Sequence, residues 1–349
     1  MSASEDSRDI SLISITNQKR KGLRVALAVA AAFTWAVATS DPLPFLCALF
    51  AAQMLISSSR AISLQSAFLL TLIILIAALI VQFLTTFLAE RPPVLLLLLG
   101  LIYFACFLRQ ASGKPNPLVF LILVVSVMIP LLTILNIDLG SSILTVFVKS
   151  IAAGAIVTWL AYALIPDIET VEAARPSTSS TPKPVWRAAA DALILLLAVT
   201  LCLTQDRLAT AVVIPITVAS LLSQLDVEAN GRPALATVLV NILGGVAAIL
   251  GFAVLELRHS LATLFLLVLL AGLVFGGRAA TPTVVAKINA GALTVFLLVL
   301  GSAVSPLSSG AAETFATRVG YIALAIVYTL FFATLLWPSK GTAGRIRDR

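Results

Sequence analysis

The chain has 349 residues, of which 60% are hydrophobic and only 11% are charged, and its mean hydropathy is +1.08. Soluble domains carry about 25% charged residues, so a water-soluble fold is excluded and any function is exercised in or across a bilayer. The net charge of +7 does not point to nucleic acid, because the basic residues sit at the ends of apolar runs rather than on one patch.

Residues 1–22 are polar and carry Asp6, Asp9, Lys19, Arg20 and Lys21. They lack the apolar core and small-residue cleavage site of a signal peptide. A cytosolic tail is expected there, with the first span acting as an uncleaved signal. Residues 23–165 then hold six apolar runs, at 23–39, 43–58, 63–88, 93–108, 117–135 and 141–165. Two prolines in Ser40-Asp41-Pro42-Leu43-Pro44 separate the first two runs, because proline stops helix propagation. Pro92-Pro93 opens the fourth run, where a helix tolerates proline. A linker rich in Pro, Ser and Thr occupies 166–186. Six more runs follow within 187–337, at 187–204, 208–225, 233–256, 261–276, 283–304 and 314–337, before a basic tail at 338–349.

Apolar runs in lipid form helices, which satisfy their own backbone hydrogen bonds. None shows the alternation of a membrane barrel strand. The expected fold is an all-α membrane protein of about twelve transmembrane helices, arranged as two parallel six-helix repeats. Thr39-Ser40-Asp41 follows the first run as Thr204-Gln205-Asp206 follows the seventh. Arg109 and Gly113 close the fourth much as Gly277 and Arg278 close the tenth, and Pro166 and Pro338 end the sixth and twelfth. An even number of spans per half makes the repeat parallel, with its axis along the membrane normal.

Charge sets the expected orientation. With the N-terminus in the cytosol, eighteen of the 23 Lys and Arg residues fall on the cytosolic side and three, Arg91, Arg207 and Arg258, fall outside. Lys149 and Arg318 lie within spans. That bias places both termini in the cytosol.

The sequence holds no Walker A, kinase, catalytic-triad or metal-cluster pattern, so neither an enzyme nor a cofactor or metal is expected. The single His259, and Cys47, Cys106 and Cys202 inside apolar runs, read as structural. Ionisable groups within spans are the remaining clue, since a charge in hydrocarbon costs at least ~2.5–3.5 kcal/mol. Lys149 lies about nine residues, or ~13 Å, into the sixth span. Lys149 and Arg318 are the expected substrate-binding cations, one per half, facing an anion path; snorkelling or local pairing is the alternative. Lys287 and Asn289, near the start of the eleventh span, complete the expected substrate contacts, with snorkelling again the alternative for Lys287. Asp191 is either a proton-coupling group or the i,i+4 ion-pair partner of Arg187. Asp41 and Asp206 read as helix caps. Gln53, Gln82 and Asn241 read as interhelical glue, and Gly244, Gly245, Gly251, Gly272 and Gly276 as close-packing positions.

Three stretches carry a family resemblance. They are Leu23-Arg24-Val25-Ala26-Leu27 leading into Asp41-Pro42-Leu43-Pro44-Phe45-Leu46, then Gly113 to Pro117-Leu118 with the apolar run to Ile129-Pro130-Leu131, and Ala161-Tyr162-Ala163-Leu164-Ile165-Pro166. Together they resemble the fusaric acid resistance and aromatic acid exporter superfamily, in particular a small bacterial branch of it. The resemblance implies a bacterial inner-membrane secondary transporter exporting small organic acids, aromatic ones among them, often with a periplasmic adaptor protein. Small organic anions, the lipid bilayer, that adaptor and a homo-oligomeric mate are the expected partners, and nucleic acid is not. Larger relatives carry a soluble cytosolic domain where this chain has only its linker. The superfamily's Arg before a Gly-Thr step is not carried over, because the comparable place reads Asn241-Ile242-Leu243-Gly244-Gly245. Two rival readings stand beside the exporter: an organic-anion channel, and a membrane accessory subunit without transport.

Overall fold

A computed structural model describes residues 2–57, 63–111, 117–135, 137–166, 185–204, 213–224, 232–279, 284–305 and 315–336. The described residues form helices and short connections, as the apolar runs predict. Twelve helices follow in chain order: α1 Ser2–Ala38, α2 Pro44–Ser57, α3 Leu64–Phe87, α4 Pro92–Ala111, α5 Pro117–Leu135, α6 Ile137–Leu164, α7 Val185–Thr204, α8 Val213–Gln224, α9 Arg232–Leu257, α10 Leu261–Ala279, α11 Val284–Val304 and α12 Phe315–Leu336. α1 begins far upstream of the expected first span. Nothing between Ser2 and Lys21 breaks it, since that stretch holds neither proline nor glycine.

Six of these helices are long and apolar enough to cross a membrane: Thr16–Ala38, Gln65–Phe87, Pro92–Ala111, Leu144–Leu164, Val185–Thr204 and Leu261–Ala279. The protein is therefore read as membrane-embedded. The other six helices hold apolar stretches of 10–17 described residues. Four of these short stretches belong to the best-buried helices. Leu46–Ala52 of α2, Leu123–Leu131 of α5, Ile216–Leu222 of α8 and Ala292–Leu300 of α11 are buried almost throughout.

The outer helices have the opposite character. α3 exposes Phe68, Leu69, Ile76, Ile80, Phe83 and Phe87; α9 exposes Leu243, Leu250, Val254 and Leu257; α10 exposes Leu261, Leu266 and Leu270. Exposed apolar faces of this extent are unfavourable in water and natural in lipid.

The packing has a regular pattern. α1 packs on α2 and α6, α3 on α5 and α6, α4 on α5, and α2 and α5 on each other and on α6. Shifted by six helices, all but one of these pairings recur: α7 with α8 and α12, α9 with α11, α10 with α11, and α8 and α11 with each other and with α12. Between the halves, α1 meets α10 as α4 meets α7, and α2 meets α11 as α5 meets α8.

Close approach at the α1–α10 contact depends on small residues. A Cβ on Gly22 would lie 2.7 Å from the Gly277 Cα, and one on Gly272 would lie 2.8 Å from the Ala26 Cα. Gly272 and Gly276 are thus packing positions, as expected from their spacing. α10 also widens into a π turn over Gly272–Gly276. Gly244 likewise faces the Ala292 backbone of α11, and Gln82 binds α3 to α5 by accepting from the Thr133 hydroxyl at 3.1 Å.

α5 continues through Pro130. Proline has no N–H, so the Ser126 carbonyl four residues earlier loses its helical donor. The Tyr103 hydroxyl of α4 donates to that carbonyl at 3.2 Å, and both residues are fully buried. In lipid this substitution of one donor for another satisfies an otherwise costly group.

Candidate functional site

The site is built around the turn that ends α1. Ser40 has φ 53°, in the left-handed region. The Asp41 N–H donates to the Ala36 carbonyl and the Ser40 N–H to the Val37 carbonyl, each at 3.0 Å. This is the Schellman arrangement, with serine where glycine is usual. Pro42 then prevents the helix from resuming. The turn carries Asp41 back against the bundle, where only 5% of its side chain is exposed.

Lys149 of α6 reaches this carboxylate. Its Nζ lies 2.5 Å from the Asp41 Oδ1. The Thr39 hydroxyl lies 3.3 Å from the other oxygen, Oδ2. The expectation that Asp41 caps a helix is thus replaced by a different role: its two oxygens face Lys149 and Thr39 instead of the first amides of α2. The ammonium also stands 5.1 Å from the centre of the Trp35 ring, within the range of a cation–π attraction. Just past α11, Ser305 donates to the Pro42 carbonyl at 2.5 Å, tying the second half to this turn.

The two partners differ in access. Lys149 is 40% exposed, against 5% for Asp41. Along α6, Lys149 follows Thr145 and precedes Ala152, Ile156 and Leu160 on the exposed stripe. It therefore stands at the rim of the bundle and turns its charge inward to Asp41, beside an exposed Trp35.

A second charged layer lies near the middle of α1, with Arg24 17 residues from Asp41 and so ~26 Å away along the helix. Lys21 donates to the Ile56 carbonyl near the end of α2 at 2.9 Å, and Arg20 to the Pro166 carbonyl beyond α6 at 3.2 Å. Cations at helix C-termini satisfy the last carbonyls and oppose the negative dipole end. Arg24 is 1% exposed and sits 4.2 Å from the centre of the Tyr162 ring.

The remaining expected residues are not gathered at Lys149. Asn289 is buried near the start of α11; Ser305 is 16 residues further on, ~24 Å at helical rise. Asp191 and Arg187 are both buried on α7, one turn apart. Arg318 and Lys287 lie on α12 and α11, but their side chains fall outside the described residues. Asp206 and residues 167–184 of the linker also fall outside them. Cys47, Cys106 and Cys202 are free and buried.

Sequence reasoning gave Asp41 a capping role, assigned no site role to Arg24 or Tyr162, and did not single out Trp35. For Asp41 a signal existed, because it is the acid nearest the first turn and Lys149 is a lone cation that needs compensation. For the aromatic residues the sequence offered none.

A family model described as a protein of unknown function (DUF2955) matches residues 21–165. The match runs from the middle of α1 to the end of α6. No curated protein and no solved structure matches the chain.

Proposed function

We propose that the protein is a secondary transporter of the bacterial inner membrane that exports small organic acids, aromatic ones among them. The Asp41–Lys149 pair among apolar helices carries this reading. Only the carboxylate of the pair is buried, and well-packed apolar residues commonly stabilise a fold as well as or better than a desolvated charge with its partner. Its presence therefore points to use, and an ammonium that is accessible while its carboxylate is buried suits capture of an organic anion. The pair stands where the first span, Thr16–Ala38, has just ended, at the mouth of the bundle rather than at its centre.

Other observations support the proposal. The helix pairings recur after a shift of six, which suits two parallel repeats about an axis along the membrane normal, a common transporter design. Residues 23–165 and 187–337 are the two units, and the family match over residues 21–165 covers the first. The resemblance to the fusaric acid resistance and aromatic acid exporter superfamily supplies the substrate class, the direction of transport and the periplasmic adaptor. The basic layer of Arg20, Lys21 and Arg24 suits a cytosolic end and supports an orientation with the Asp41 turn towards the periplasm and both termini in the cytosol. Arg318, Lys287 and Asn289 are proposed as substrate contacts in the second half.

The test is export from cells. A panel of aromatic and aliphatic acids is loaded, and retention is compared between the parent and Lys149→Met at matched membrane level. Methionine keeps much of the volume and removes the charge. We expect export to fall at least about tenfold for one class of acid, while Arg91→Ala stays near the parent. Equal export by Lys149→Met would refute the assignment, and absence of flux for every acid in the parent would favour an accessory subunit. A reporter fused after Arg349 should read cytosolic; a periplasmic reading would overturn the orientation.

A further inference from the structure

Asp41 is buried, its partner Lys149 is accessible, and the pair carries no net charge. We propose that Asp41 is the proton-coupling carboxylate of this protein: an arriving organic anion takes its place on Lys149, and Asp41 takes up a proton at that moment. The proposal rests on the reading of Lys149 as the anion site.

The argument follows from the difference in access. Lys149 meets Asp41 just past the end of the first span, so an anion arriving at that face of the membrane can reach its ammonium. The Asp41 carboxylate, held in the turn between Ala36 and Pro42, cannot follow it outward. Once its cation is shared or lost, Asp41 is a carboxylate in an apolar surround, with Thr39 as its remaining side-chain partner. Burial without a counter-charge favours the neutral acid. A proton delivered from water forms the O–H bond at Oδ1, the atom that faced Lys149. The site then holds one more anion and one more proton than before, and its net charge is unchanged. Anion and proton move together, and the membrane potential does no net work on the loaded site. Export then runs wherever the cytosolic product of acid anion and proton concentrations exceeds the external one.

The charged and titratable groups near Asp41 are Lys149 of α6 and Cys47 of α2, whose thiol interacts electrostatically with both. Asp41→Asn removes this carboxylate and leaves both of those groups in place.

The experiment is calorimetry of benzoate binding to the purified full chain, in two buffers of different ionisation enthalpy and at pH 6, 7 and 8. Benzoate stays ionised over this range. We expect about one proton taken up per benzoate, and affinity rising about tenfold for each unit of pH decrease, as one linked proton requires. Asp41→Asn should bind benzoate with no proton uptake and with no pH dependence. The pH series on the parent protein decides the matter even where that variant fails to fold. Binding with no proton uptake, or with equal affinity at pH 6 and pH 8, overturns the coupling role and leaves Lys149 as the anion site. Loss of uptake in Asp191→Asn but not in Asp41→Asn overturns it in favour of α7. Absence of benzoate binding by the parent at any pH removes the anion-site reading and this proposal with it.

Discussion

At the scale of single residues, the bonds that matter most are those that replace a missing partner within apolar surroundings. Pro130 removes one backbone donor and Tyr103 restores it. Tyr103→Phe should therefore leave the Ser126 carbonyl unsatisfied and cost about 1–3 kcal/mol. Pro130→Ala supplies a backbone N–H to the same carbonyl, so Tyr103→Phe in that background should cost much less. Thermal unfolding in detergent of the four proteins of this cycle measures the coupling. Equal losses in both backgrounds would show that the hydroxyl does not serve that carbonyl. Lys149 and Asp41 follow the same logic with charges. The sequence made Lys149 visible, because a lone cation in an apolar run has few bland explanations. It did not reveal the partner, which lies 108 residues away and looks like an ordinary turn residue.

At the scale of elements, the helices were legible because each apolar run is bounded by proline, glycine or charge. Their unequal burial was not. α2 and α3 are both strongly apolar in sequence, yet α2 is buried on nearly every side and α3 presents rows of Phe, Leu and Ile outward. Hydropathy reports that a helix avoids water; it cannot say whether protein or lipid takes the place of water. The glycine positions were partly legible. The Gly272–Gly276 spacing announced close packing, but Gly22 at the start of the first span was not singled out. Gly22→Val would press a side chain onto the α10 backbone at a 2.7 Å approach, which neither helix can relieve by a rotamer change. We expect a loss of at least about 2 kcal/mol from such overpacking. Gly245→Ala, with nothing within 4 Å of the added carbon, should be neutral or stabilising by up to about 1 kcal/mol. Melting temperatures of the two variants in one detergent check this, and a harmless Gly22→Val would mean that α1 and α10 do not meet at this seam.

At the scale of the whole molecule, the four best-buried helices, α2, α5, α8 and α11, form a centre around which helices with exposed apolar faces stand. The pairings between α1 and α10 and between α4 and α7 join the halves in equivalent ways. Twelve runs and a linker at their midpoint were enough to anticipate this class of fold. The charged layer at Lys149 needed the fold itself, because helix α6, the end of α1 and the foot of α11 converge there from separate parts of the chain. The claim on which the account depends is that this layer moves organic anions across the membrane. It is tested most directly by flux with purified protein in vesicles. Radiolabelled 4-hydroxybenzoate is trapped inside, and its exit is followed after subtraction of the leak from protein-free vesicles. The account predicts protein-dependent exit that is saturable, accelerated by unlabelled acid outside, and reduced at least about tenfold by Lys149→Met. Exit from vesicles of the parent protein no faster than from protein-free vesicles, or unchanged by Lys149→Met, would contradict it.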